Sequence, residues 1–432
     1  MLPVLLHGLA QDAGKPTCAT LFNLFLRLLP RLKLPPRGSK DDNELRSRLG
    51  LDDHVDDAAF VCSWFSKLML LTITRAGHPD MTARNAPLGL TSEQYNFLTL
   101  NGKAEAWDPN SNEGLNLTET KVTVLSFVSS GAFTDPERFM TALFAAADPN
   151  SRISTVGDDI LKRTTVSLED EELINTLYDI YHTSRPALKT RILSLLSKSA
   201  VATKFLEKIL NLVQEGMQPT AVESQAVKGL EALKLRNSMF NFMNWVARVG
   251  SASNLEHVAP SLVKFLRGYI EEQGWPVPID RSADQASLRA LAYETLGSMA
   301  KTVPGIASKS NLSLVRWLFR SLTEERSSDS IFISVEGALA SLLNAFATPL
   351  DPESKGELHS LLLKYMVQQE DGSVVRSARF TAVRWANRCL EYSDIVGRWI
   401  DILALGARSN ERSDVVEEGN KGLVCANNIV SN

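Results

Sequence analysis

The chain has 432 residues, enough for two or three ordinary domains or one long array, and 44% of them are apolar, ample for a core. Its 46 Lys and Arg are well mixed with 50 Asp and Glu, leaving a net charge of −4 and no clustered basic surface of the kind nucleic acid requires. Cys18, Cys62, Cys389 and Cys425 stand far apart with no C-x-x-C among them, which argues against a disulfide framework or zinc site and for a reducing compartment.

Residues 1–34 predict a pair of helices, with Pro3 near the start and Lys15-Pro16 between them. The apolar run 21–34 carries Arg27, Pro30 and Arg31, so neither a membrane span nor a signal peptide is expected. Residues 35–42 (PPRGSKDD) read as a breaker and a polar linker, 43–49 as a short helix and 58–74 as an apolar helix. Together 1–74 predicts N-terminal helical hairpins. Residues 75–117 are the least repetitive part, with Pro79, Pro87 and Pro109 and a capping-box spacing at Thr91-Ser92-Glu93-Gln94. They are expected to form an insertion or long loop.

From residue 118 the pattern becomes regular. Helices are expected over 118–130, 136–147, 151–163, 170–182, 186–197, 201–215, 220–234, 238–249, 255–273, 283–302, 312–325, 330–347, 352–369, 373–392 and 395–407. The breaks carry Gly131, Pro149, Pro219, Gly250, the GWPVP of 274–278, Pro304 and Gly372. Two helices and their turns in roughly every 35 to 50 residues is the period of HEAT-type repeats. The fold class that follows is all-α: an α-solenoid of HEAT-like helical hairpins, an armadillo/HEAT superhelix, with the array proper over 118–423.

The stretch 371–392 shows why copies are needed. One apolar line runs through Val375, Ala378, Ala382, Ala386 and Cys389, and a second through Val374, Val383, Trp385 and Leu390. A helix apolar on more than one side belongs between two layers. The preceding helix has a single stripe, Leu358, Leu361, Leu362, Tyr365 and Met366. Such a hairpin cannot bury its own faces alone. Asp284-Gln-Ala-Ser-Leu-Arg289 repeats the spacing of Asp371-Gly-Ser-Val-Val-Arg376, and Asp148 to Ile153 is a looser copy. The Asp is expected to cap the second helix of a hairpin and the Arg to pair with an acid in the next unit. Trp245, Trp317, Trp385 and Trp399 fall at helical spacing and are expected in the core. Residues 415–423 begin another second helix, whereas 424–432 (VCANNIVSN) read as an off-pattern tail. The chain is therefore expected to be a piece cut at both ends.

Candidate chemistry is thin. Gly8 to Thr17 has the look of a phosphate loop, but it holds one residue too many between the glycines, Pro16 stands where Ser or Thr would ligate magnesium, and no strand precedes it. Asp52-Asp53-His54-Val55-Asp56-Asp57 lacks the Gly and terminal Glu of a calcium loop and reads as a solvated acidic loop. His7, His54, His78, His182, His257 and His359 are dispersed, with no H-E-x-x-H and no G-x-S-x-G elbow anywhere. Asp158-Asp159 is expected on a wet helix face. No catalytic, cofactor-binding or metal-ligating residue is assigned, no cofactor or small-molecule substrate is expected, and the partner-facing residues are not fixed by the sequence.

Residues 114–139 (GLNLTETKVTVLSFVSSGAFTDPERF) and 151–181 (SRISTVGDDILKRTTVSLEDEELINTLYDIY) resemble the large HEAT-repeat proteasome adaptor family, the extracellular-mutant-type proteasome component. Residues 28–42 (LLPRLKLPPRGSKDD) and 415–423 (VVEEGNKGL) are similar to it as well, and the likeness takes in irregular loop sequence as well as helix pattern. The resemblance is to an N-terminal part of longer proteins. It implies a non-enzymatic scaffold, cytoplasmic and nuclear, that binds the regulatory and core particles of the proteasome and stabilises or checks their assembly in ubiquitin-dependent protein catabolism. The other reading of the same repeats is a different HEAT scaffold, such as a nuclear transport receptor.

Overall fold

The computed structural model describes residues 36, 38–49, 118–129, 135–217, 226–272, 283–303, 312–325, 329–345, 352–367, 373–390, 397–408 and 411–431. The helices expected in 1–34 and 58–74, the insertion expected at 75–117, and the loops at 8–17 and 52–57 lie outside the described residues. Every described element is helical, and the all-α solenoid read from the sequence is what the structure shows. The chain divides into two compact units, Met1–Leu196 and Ser197–Asn432.

The first unit holds α1 (Lys40–Leu49), α2 (Thr118–Val128), α3 (Asp135–Ala146), α4 (Ser151–Leu161), α5 (Glu171–Thr183) and α6 (Pro186–Leu196). Helix α1 begins three residues before the predicted helix 43–49. Its start is fixed by the Asp42 N–H donating to Ser39 Oγ (3.2 Å) and the Gly38 N–H donating to Asp42 Oδ2 (3.1 Å). These bonds satisfy donors that a first turn leaves orphaned, so the polar run is capping sequence and not linker. Asn150 and Asp170 cap α4 and α5 in the same way, each accepting at 3.0 Å from the N–H two residues on. Helix α4 packs along α3 and against α2, α5 pairs with α6, and α6 returns to α3.

The second unit opens with a 3-10 turn, Ala200–Lys204, followed by α7 (Leu206–Met217), α8 (Ala226–Val249), α9 (Ala252–Glu272), α10 (Ala283–Thr302), α11 (Leu312–Glu324), α12 (Asp329–Ala345), α13 (Pro352–Met366), α14 (Ser373–Leu390), α15 (Gly397–Gly406) and α16 (Ser413–Ser431). Among the described residues these form five hairpins: α7 with α8, α9 with α10, α11 with α12, α13 with α14 and α15 with α16. The second helices pack in unbroken succession, α8 on α10, α10 on α12, α12 on α14 and α14 on α16. The first helices pack α7 on α9, α11 on α13 and α13 on α15. The unit is thus two helical layers whose core lies between them. Trp385 and Trp399 are fully buried there and Trp317 nearly so, whereas Trp245 is only half-buried. Aromatic rings meet from hairpin to hairpin: Tyr293 with Trp317 (5.6 Å between centroids), Phe319 with Tyr365 (5.1 Å), and His359 with Trp399 (5.8 Å).

Three sequence expectations are corrected. The helix expected over 201–215 is a 3-10 turn and then α7, broken at Phe205; the turn is tightened by the Ala202 N–H donating to Ser199 O (3.1 Å) and Thr203 Oγ1 donating to Ala200 O (2.8 Å). The helices expected at 220–234 and 238–249 are one helix from Ala226. Leu235-Arg236-Asn237 contains no Gly or Pro to stop it, and Asn241 Nδ2 donates to Asn237 Oδ1 (3.0 Å) across the supposed break. The supposed tail 424–432 continues α16 as far as Ser431. Its buried stripe, Val415, Gly419, Gly422 and Ala426, keeps helical spacing but is mostly glycine and alanine, so it does not register as an apolar line.

Candidate interaction surface

Neighbouring hairpins are tied by a recurring polar contact, buried or half-buried in each case. Arg289, the seventh residue of α10, pairs at 2.5 Å with Glu325 in the turn after α11. Arg379, the seventh residue of α14, pairs at 2.8 Å with Glu411 in the turn after α15. In the first unit Lys121 of α2 reaches Asp148, in the turn between α3 and α4, at 3.3 Å. Each time a cation on one helix enters the connection of the following hairpin. The Arg expected from the repeated motif to find an acid in the next unit does so at Arg289. Its aligned counterpart, the Arg376 side chain, lies outside the described residues, and α14 uses Arg379 one turn later. Asp284 is the second residue of α10, inside the helix and not before it, while Asp371 lies outside the described residues.

The first of these pairs is extended by Tyr293, one turn beyond Arg289, whose hydroxyl donates to Glu325 Oε2 at 2.6 Å. Burial raises the Glu325 carboxyl above its ordinary range, opposed by the Tyr293 hydrogen bond and the Arg289 charge. Burial and the Glu325 charge push the Tyr293 hydroxyl up. Asp158, expected on a wet face, instead receives two hydrogen bonds from Arg191, at 2.5 and 3.0 Å, which link α4 to α6; Asp159 is exposed and pairs with Lys162. A forked guanidinium can hold a carboxylate with two parallel hydrogen bonds.

Two glycines mark where helices touch at the backbone. A Cβ on Gly157 of α4 would lie 2.4 Å from Ala146 N, and one on Gly419 of α16 would lie 2.7 Å from Ala407 N. Both are the seventh residue of a helix set against the end of the helix before it. The sequence offered this signal, a Gly at a fixed offset from a Ser start (Ser151 and Ser413), but helix interiors with glycine are usually read as weak helix and nothing more.

Between α11 and α13 lies a groove of about 750 Å³. Arg316 and Arg320 stand one turn apart on the α11 side, and Gly356, Ser360 and Lys364 succeed one another by single turns on α13. The two small residues lower the α13 wall. Arg316 and Glu357 bridge the groove at 3.1 Å. Sequence reading did not single out these residues, because a cation every fourth position on a helix is the ordinary pattern of a solvated face.

Among the described residues, those weighed for chemistry lie on separate helices. His182, His257 and His359 lie on α5, α9 and α13. Among the described residues no group of three or more His, Cys, Asp and Glu is gathered as a metal ion would need, and no helix is long and apolar enough to cross a membrane. Burial pushes the Cys389 thiol up to about 12, which leaves it a core residue and not a nucleophile.

Residues 1–404 match the family described as proteasome component ECM29, N-terminal. The chain belongs to that family. This bears out the resemblance carried by 114–139 and 151–181, and the match ends within α15. No curated protein matches the chain.

Proposed function

We propose that this member of the ECM29 N-terminal family is a non-enzymatic scaffold that binds the regulatory and core particles of the proteasome, in cytoplasm and nucleus, and stabilises or checks their assembly in ubiquitin-dependent protein catabolism. The observation that carries the reading is the family match over 1–404. The architecture supports it: stacked hairpins present long rows of helix faces and turns, suited to a large protein partner and not to a small substrate. The balanced charge of the chain suits contacts made by shape and dispersed polar pairs, with electrostatics guiding encounter. The test is affinity purification of the tagged chain from cells, read by mass spectrometry. Enrichment of subunits of both proteasome particles is expected. Enrichment of transport cargo or nucleoporins without proteasome subunits would replace this reading with that of a transport receptor.

A further inference from the structure

We infer that Ser167, in the turn between α4 and α5, is a phosphorylation site for an acidophilic serine/threonine protein kinase. From Ser167 the sequence runs Ser-Leu-Glu-Asp-Glu-Glu, so a carboxylate stands at every position from the second to the fifth after the hydroxyl. A kinase that selects acidic substrates does so with lysine and arginine beside its cleft, and carboxylates on the C-terminal side of the serine are what such a surface attracts. Glu171 and Glu172 alone would only complement the positive end of α5. The hydroxyl ahead of them makes the run a substrate.

Position in the fold singles this serine out. Ser167 is exposed, and residues 167–170 all lie outside helices, between the end of α4 at Leu161 and the start of α5 at Glu171. A kinase cleft takes its substrate as extended chain, so an acceptor locked into a helix is a poor one. Among the described residues, Ser39, Thr155, Thr176, Ser253, Ser321 and Ser354 also have an acid three positions on, but Ser39 is followed at once by α1 and the others lie within helices. Thr155, Thr176 and Ser321 moreover donate their hydroxyls to the carbonyl one turn back, at 2.8, 2.8 and 3.0 Å. Ser167 Oγ instead accepts from the Glu169 N–H at 3.3 Å, a bond in which its own proton takes no part. The turn is held on either side of the serine: the Thr165 N–H donates to Asp135 Oδ2 at 3.2 Å, and Asp170 caps α5. In the transfer, Ser167 Oγ bonds to the γ-phosphorus of ATP as the bond from that phosphorus to the β–γ bridging oxygen breaks. ADP leaves with the electron pair, and the hydroxyl proton passes to the carboxylate base of the kinase. The product adds a charge of about −1.5 to −2 beside Glu169 and Asp170 and leaves the core untouched. The inference goes beyond the scaffold reading by naming a modification site and the class of enzyme that acts on it.

The test is incubation of the purified full chain with ATP and recombinant casein kinase 2, an acidophilic kinase, beside the basophilic cyclic-AMP-dependent kinase, with the phosphorylated residue mapped by mass spectrometry. The acidophilic kinase should modify Ser167 to near completion, and the basophilic one should not. Asp170→Asn removes the carboxylate three positions after the serine but keeps a residue that caps α5 as well as Asp does, so the circular dichroism melt should stay unchanged. Its kcat/KM for phosphorylation at Ser167 should fall at least about tenfold, the loss of one charge pair made with the kinase. Asp170→Glu, which restores the charge, should recover most of that loss. No phosphate at Ser167, preferential modification of Thr164 or Thr165, an unchanged rate in Asp170→Asn, or equal modification by the basophilic kinase would each overturn the inference. The assay uses the purified chain and a kinase alone, so its failure leaves the result of the proteasome purification standing.

Discussion

Of the Arg–Glu pairs that join neighbouring hairpins of the second unit, Arg289–Glu325 and Arg316–Glu357 differ most in their surroundings. The side chains of Arg289 and Glu325 are 2% and 1% exposed; those of Arg316 and Glu357 are 58% and 49% exposed. The residue types are the same and both contacts are ion pairs. The first pair has given up its hydration, so removing one partner strands the other as a buried charge. The second keeps its water, and its long side chains gain little from being held together. One connection of the array thus uses polar residues to fix how hairpins seat on each other, while the pair across the groove between α11 and α13 stays in contact with water.

The largest effect that would break this contrast is at Arg289. Arg289→Ala is expected to cost about 3–5 kcal/mol in a urea titration, whereas Arg289→Met combined with Glu325→Leu should recover most of the loss. A cost below about 1 kcal/mol for the single change would mean that the pair is not the buried connection described. Next come the backbone contacts. Gly157→Ala and Gly419→Ala should each destabilise by about 1–3 kcal/mol through overpacking, although alanine is the better helix former. A gain in stability from either would mean that the helices are set farther apart.

A smaller effect sharpens the contrast through pH. The folded Glu325 carboxyl titrates above the ordinary value of 4.5, so the native state holds this proton more tightly than the unfolded chain. Its contribution to stability therefore falls as the pH rises from 4.5, until the folded pKa is passed. Asp414, held low chiefly by its hydrogen bond from Arg412, acts in the opposite sense: its contribution is present above 3.8 and is lost as the pH falls through its folded pKa. In Glu325→Gln the first slope should vanish and the second remain. A stability difference between wild type and Glu325→Gln that stays constant from pH 4.5 to neutrality would contradict the burial of this carboxyl. The smallest effect is at Arg316. Arg316→Ala should change stability by less than about 1 kcal/mol and less still at high salt.

Most of the fold was legible because burial leaves a periodic record. The two apolar lines of 371–392 place Ala378, Ala382, Trp385 and Ala386 in the core, where each is fully buried. The record fails where close packing selects small residues: α16 buries Gly419, Gly422 and Ala426, and its last turns read as a tail. It fails again where an element ends without a breaker, or continues without one, as at Phe205 and at 235–237. Polar contacts between hairpins are legible only by half. The spacing suggested that Arg289 meets an acid in the next unit, but nothing local to the sequence says that the acid is Glu325, 36 residues on, or that Arg379 meets Glu411. The groove was invisible for a related reason. It arises from Gly356 and Ser360 facing Arg316 and Arg320 across two helices, a juxtaposition that exists only once the hairpins are stacked.

The measurement that tests the buried connection most directly is a pair of double-mutant cycles, Arg289 with Glu325 and Arg316 with Glu357, by denaturant titration of the full chain. The stacking described here predicts a coupling of at least about 2 kcal/mol for the first pair and below about 1 kcal/mol for the second. Equal couplings, or a larger one for Arg316 with Glu357, would contradict it.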